Sequence, residues 1–141
     1  MVNGYISINN SIPAGNDWPI RIFGLNATLL LCHEIDSAYW REWELFGLPG
    51  GVQGFVVLHL VLVGLVFWGF QLLIVGDRKG RWFSLLLALG GIGGGILHGG
   101  FLLAGSHQFH LPVSIALIAA FLVVSLFQLG LTVSGFREKG G

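Results

Sequence analysis

The sequence has little charge and almost no sulfur. Only 10% of its 141 residues are charged, and the seven basic and seven acidic side chains sum to zero. No basic surface is therefore expected to hold nucleic acid. The single cysteine, Cys32, excludes a disulfide within the chain, and its place in an apolar run reads as small-residue packing. The opening, MVNGYISINNSIPAGNDW, has neither a basic start nor a long apolar core. No cleavable secretory signal is expected there, so the first apolar tract should be retained.

What the sequence has in quantity is hydrocarbon. Hydrophobic residues make up 54% of the chain, which leaves too little polar surface for a soluble globule of this length and points to an integral membrane protein. Four apolar tracts, 19–40, 51–76, 82–105 and 112–136, each approach the ~20 residues that carry a helix across a bilayer. In lipid, open backbone segments must be helical to pair their own N–H and C=O groups. The prediction is an all-α integral membrane protein, a four-helix up-and-down transmembrane bundle forming one domain over residues 1–141. Arg78, Lys79 and Arg81 mark the second connection and Arg137 and Lys139 the tail, so both termini should be cytoplasmic.

The polar residues within the apolar tracts then become informative. An ionisable side chain in a membrane is costly unless it is paired or faces a cavity, and so it marks a candidate site. His33, Glu34 and Asp36 follow directly on the apolar run of the first tract, while His59 and His98 lie in the second and third. At 1.5 Å rise per residue, all three histidines fall about 10 Å below the outer surface. His33, Asp36, Ser37 and Trp40 share one helical face, with Glu34 turned about 100° away.

Imidazoles and carboxylates at one depth suit three chemistries. His33, Asp36, His59 and His98 are the ligand types of a zinc, iron or copper site, with Glu34 or Asp36 as ring-orienting or acid-base groups. His59 and His98 alone have the ligand types of a bis-histidine haem, which the glycines of the third tract would admit. A carboxylate beside His33 can also move a proton without a metal. The plainer alternative for His59 is a hydrogen-bonded core histidine. His107 and His110 read as loop residues before Pro112, and Glu42 and Glu44 as a solvated helix end neutralised by Arg41.

The run GGIGGGILHGG places Gly91, Gly95 and Gly99 at four-residue intervals, the small-residue spacing that lets helices approach, within the bundle or between subunits. It is not a dinucleotide loop, which needs a preceding strand and an aqueous turn. Ser114, Ser125, Gln128 and Thr132 form a stripe on the last tract that fits interhelical hydrogen bonding better than a transport path. No internal repeat of the transporter kind is present.

The segments CHEIDSAYWREWELFGLPGG and GGILHGGFLLAGSHQFHLPVS resemble those of a family of small four-span bacterial membrane proteins of uncharacterised function. That family carries a His-Glu motif at the end of its first span, where His33 and Glu34 stand here. The resemblance implies a four-helix protein of the bacterial inner membrane and no catalytic assignment. Two functions stay open: a metal or metal-cofactor protein acting as a membrane oxidoreductase or lipid-substrate enzyme, or a noncatalytic accessory subunit docking through the glycine-rich tract. Membrane lipids are the partners expected in either case.

Overall fold

The computed structural model describes residues 17–137, with side chains through Gly135. Residues 1–16 of the polar opening and Lys139 of the tail lie outside the described residues, as does the side chain of Arg137. Five helices and no strand occur among the described residues: α1 (Trp18–Tyr39), α2 (Glu42–Leu45), α3 (Gly51–Ile74), α4 (Gly80–Leu103) and α5 (Pro112–Arg137).

Three of these, α3, α4 and α5, are long and apolar enough to cross a membrane. The helix α1 has 22 residues, a sufficient length, but Arg21, Asn26, His33, Glu34 and Asp36 dilute its apolar character. The described residues thus form four long helices, three of them of membrane-spanning character, plus a short one, α2, that the sequence did not announce.

The core is built chiefly from α1, α4 and α5, with Val66 of α3 joining Phe23, Leu30, Leu87 and Phe121. Buried positions on α5 recur as Ser114, Ile118, Phe121, Ser125, Gln128 and Thr132, a 4-3-4-3-4 spacing that keeps one stripe facing its neighbours. On α1 the matching stripe is Phe23, Asn26, Leu30, His33 and Ser37. By contrast α3 buries only Phe55, Val66 and Gly69 and lies at the edge of the bundle. Cys32 points outward and is exposed, so it does not serve the packing role expected of it.

Close approach of α4 and α5 depends on two of the glycines. A Cβ at Gly91 would stand 2.0 Å from Ser125 Oγ and 2.9 Å from Phe121, and one at Gly95 would stand 2.9 Å from Leu122 Cβ. These two glycines of the expected docking seam therefore face α5 of the same chain, while Gly99 meets open space. The polar stripe on α5 is hydrogen-bonded as its spacing implied. Asn26 donates to Gln128 Oε1 at 2.7 Å and to Ser125 Oγ at 3.0 Å, Gln128 Nε2 donates to Ser84 Oγ at 2.9 Å, and Ser84 and Thr132 hydroxyls meet at 2.8 Å.

Candidate metal centre at the bend after the first helix

Where α1 ends, the chain does not run on as a solvated helix. Arg41 takes a left-handed backbone conformation, φ 55°, and turns the chain back so that α2 lies over the end of the bundle. A non-glycine residue pays a steric cost for that conformation through its Cβ. The turn brings the Glu42 carboxylate to His98, with Oε1 3.3 Å from Nε2 and both side chains largely covered. This corrects the reading of Glu42 as a solvated helix end. Glu44 does remain exposed, paired with Arg41 at 2.5 Å.

His33 completes the group. Its ring stands edge-on to that of His98, with centroids 4.7 Å apart. One donor atom from each of His33, Glu42 and His98 can be chosen so that all three lie within 4.8 Å of one another. Phe109 covers the pair, 4.6 Å from the His98 ring and 5.9 Å from that of His33, and it too has a left-handed backbone, φ 60°. The non-glycine residues with positive φ among those described are thus Arg41 and Phe109, and both border this cluster. Strain of this kind collects where surrounding structure holds a functional arrangement in place.

The hydrogen bonds determine which nitrogens remain available. His98 Nδ1 lies 2.8 Å from the Gly94 carbonyl oxygen, which can only accept, so Nδ1 carries the proton. In the neutral ring, Nε2 then holds a bare lone pair. Its contact with Glu42 is close but lacks hydrogen-bond alignment, and Nε2 is buried with no hydrogen-bond partner, as is His33 Nδ1. Burial alone would raise the Glu42 carboxyl. The neighbouring His98 and Ser37 side chains outweigh it and hold the group below its ordinary value.

Two residues of the expected ligand set lie elsewhere. His59 forms a pair with Glu34, Nε2 to Oε2 at 2.5 Å, and its Nδ1 donates to the Phe55 carbonyl at 2.6 Å. Both of its ring nitrogens are engaged, so in this arrangement it has none to offer a metal or haem. Asp36 accepts from Ser114 Oγ at 2.9 Å, and that hydroxyl in turn accepts from Trp40 Nε1 at 3.1 Å, which ties the end of α1 to the start of α5. His107 and His110 are exposed loop residues, as expected.

Three protein donors of the type His, His and Glu match the catalytic zinc pattern with one coordination position left open, and also the facial triad of non-haem iron. Ligand atoms bound at about 2.1 Å in tetrahedral geometry stand about 3.4 Å apart, so closing the cluster requires a contraction of at most roughly 1.4 Å. The ring contact of His98 with Gly94 is of the kind that orients an imidazole for metal ligation.

An apolar cavity of about 390 Å³ adjoins the cluster. His33, Glu34, Glu42 and His98 stand in its wall, and the rest is hydrocarbon from α1, α3, α4 and α5, including Leu30, Leu62, Val66, Leu87 and Phe121.

No curated protein matches the chain, and neither does any solved structure. A family of unknown function, DUF6713, matches residues 20–135, which takes in every helix that builds the cluster and the cavity. The chain belongs to that family.

Proposed function

We propose that this is a four-span protein of the bacterial inner membrane that binds a divalent transition metal, zinc or iron, through His33, Glu42 and His98 near its outer surface. In this reading α1 crosses the bilayer with its polar face turned into the bundle. Glu34, paired with His59, serves as the acid-base group beside the metal, and Asp36 positions the end of α1. The open coordination position makes the centre suited to a reaction on a lipid-phase substrate or to electron transfer.

A single observation carries the proposal. His98 Nε2, the Glu42 carboxylate and the His33 ring, all potential electron donors, are brought together in a buried place where neither His98 Nε2 nor His33 Nδ1 has a hydrogen-bond partner. A bound cation satisfies all three at once. At the Glu34–His59 pair, by comparison, a shared proton already does so along a direct 2.5 Å contact.

The test is metal analysis of the protein purified in mild detergent from its native membrane, beside His33→Ala, Glu42→Gln and His98→Ala. The expected result is one zinc or iron per chain in the native protein and loss of it in each variant. Chelation should destabilise the native protein by about 2.7 kcal/mol where free metal stood at 100 times Kd, read as a lower thermal midpoint, and leave His98→Ala unmoved. Absence of stoichiometric metal from freshly isolated protein would overturn the proposal. It would favour the accessory-subunit reading, for which the outward face of α3, exposing Val56, Val57, Leu60 and Val61, offers a surface to a partner helix.

A further inference from the structure

The cavity beside the cluster is larger than a metal and its water require. Its volume of about 390 Å³ falls in the ~300–1,000 Å³ range of small-molecule sites. Its composition is lopsided: the titratable groups stand on the cluster side, and the remaining wall is aliphatic and aromatic. Leu65, Leu86 and Leu97 line it while being 44%, 63% and 47% exposed, so the cavity opens sideways between α3 and α4. In a membrane that opening faces hydrocarbon, which is the route for a molecule dissolved in lipid. Gly90 and Gly94 line the same wall, and a Cβ at either would meet nothing within 4 Å. Their lack of side chains leaves room that close helix packing does not use.

We infer that the cavity binds a neutral lipid-soluble molecule with a hydroxyl or carbonyl head, its apolar body along α4 and its oxygen against the His33–Glu42–His98 cluster. The neutral head follows from the route and the wall. A molecule that arrives through hydrocarbon past Leu65, Leu86 and Leu97 would have to desolvate an ionised head on the way in, and the Glu34–His59 pair already shares its own proton. A neutral oxygen fills an open ligand position, or accepts from an imidazole, without that penalty. The inference extends the metal reading by naming what lies at its open position, but the cavity and its lateral opening do not depend on the metal.

The experiment uses the full chain in lipid nanodiscs and a photoreactive diazirine derivative of decan-1-ol, with labelled peptides mapped by mass spectrometry and metal content measured on the same samples. Labelling is expected on the segment Phe83–Leu97 and on the second half of α1. Unlabelled decan-1-ol should compete at least about tenfold better than decanoate or decylamine. Gly90→Leu and Gly90→Phe, which place a side chain in the open space, should each cut labelling about tenfold while leaving metal content unchanged. Labelling spread evenly over lipid-facing residues, labelling unaffected by both variants, or stronger competition by decanoate or decylamine would each overturn the inference. Loss of metal with retained labelling would instead count against the metal reading alone.

Discussion

At the scale of single residues, two histidines that look alike in sequence meet different ends. His59 and His98 each donate Nδ1 to the carbonyl four residues earlier, which leaves Nε2 to find a partner off its own helix. For His59 that partner is Glu34, and a short, largely covered hydrogen bond results. Removing one side should expose the other: Glu34→Gln or His59→Ala is expected to destabilise the protein by about 1–3 kcal/mol in thermal or SDS unfolding, with metal content unchanged. The double variant should cost less than the sum of the two, and strict additivity would show that the contact carries no energy. Sequence spacing placed His33, Glu34, Asp36, His59 and His98 in one region. It did not pair them, because pairing depends on rotations of about 100° per residue between neighbouring side chains. Glu34 and Asp36 accordingly turn to different helices. Glu42 was missed because its contact requires the left-handed turn at Arg41, and arginine gives no local signal for such a turn. The one available hint was the acid lying between the end of α1 and the turn-forming run GLPGG.

At the scale of elements, helix ends were easily read and helix faces less so. Beyond α3 and α4 stand Gly76 and Gly105, with φ 72° and 80°. At the first, the Gly76 N–H bonds the Leu73 carbonyl and the Asp77 N–H the Leu72 carbonyl, and Gly105 and Ser106 repeat the pattern on Leu102 and Phe101. This is the Schellman closure, which glycine permits because it has no Cβ. Within α4 the glycines divide by face. Gly91→Ala drives a methyl into Ser125 and Phe121 and should destabilise by about 1–3 kcal/mol through overpacking. Gly90→Ala meets open space and should be neutral or stabilising by up to about 1 kcal/mol, from the lower backbone entropy lost. Equal effects of the two, measured by thermal unfolding, would contradict the asymmetric packing of α4.

At the scale of the whole molecule, the question is how many times the chain crosses the bilayer. Helices α3, α4 and α5 alternate, which puts the 75–79 connection on one side and the 104–111 connection on the other. If α1 also crosses, Asp17 shares a side with Lys79. The check is labelling of intact cells by a membrane-impermeant maleimide in a Cys32→Ser background, with single Asp17→Cys, Lys79→Cys and His107→Cys substitutions. His107→Cys is expected to label from outside, and the other two only after the cells are opened. Outside labelling at residue 17 would give three crossings and place α1 along the surface. The basic residues at 78, 79 and 81 favour the cytoplasm for their side. The bonds of Asn26 to Ser125 and Gln128 give α1 a reason to stay among the other helices, since the Asn26 amide would lose both partners in hydrocarbon.

The sequence by itself determined the helices, their ends and the level at which the ionisable groups cluster. These follow from local rules: apolar length, glycine beyond a helix end, and a fixed rise per residue. The tertiary structure decided which donors meet. His33, Glu42 and His98 come from three separate elements, and their convergence depends on one strained turn and on the close approach of α4 and α5 at Gly91 and Gly95. Such a meeting is a non-local consequence of packing, in which a rotation of one helix by a single residue would exchange His33 for Glu34, and no spacing within one segment encodes it.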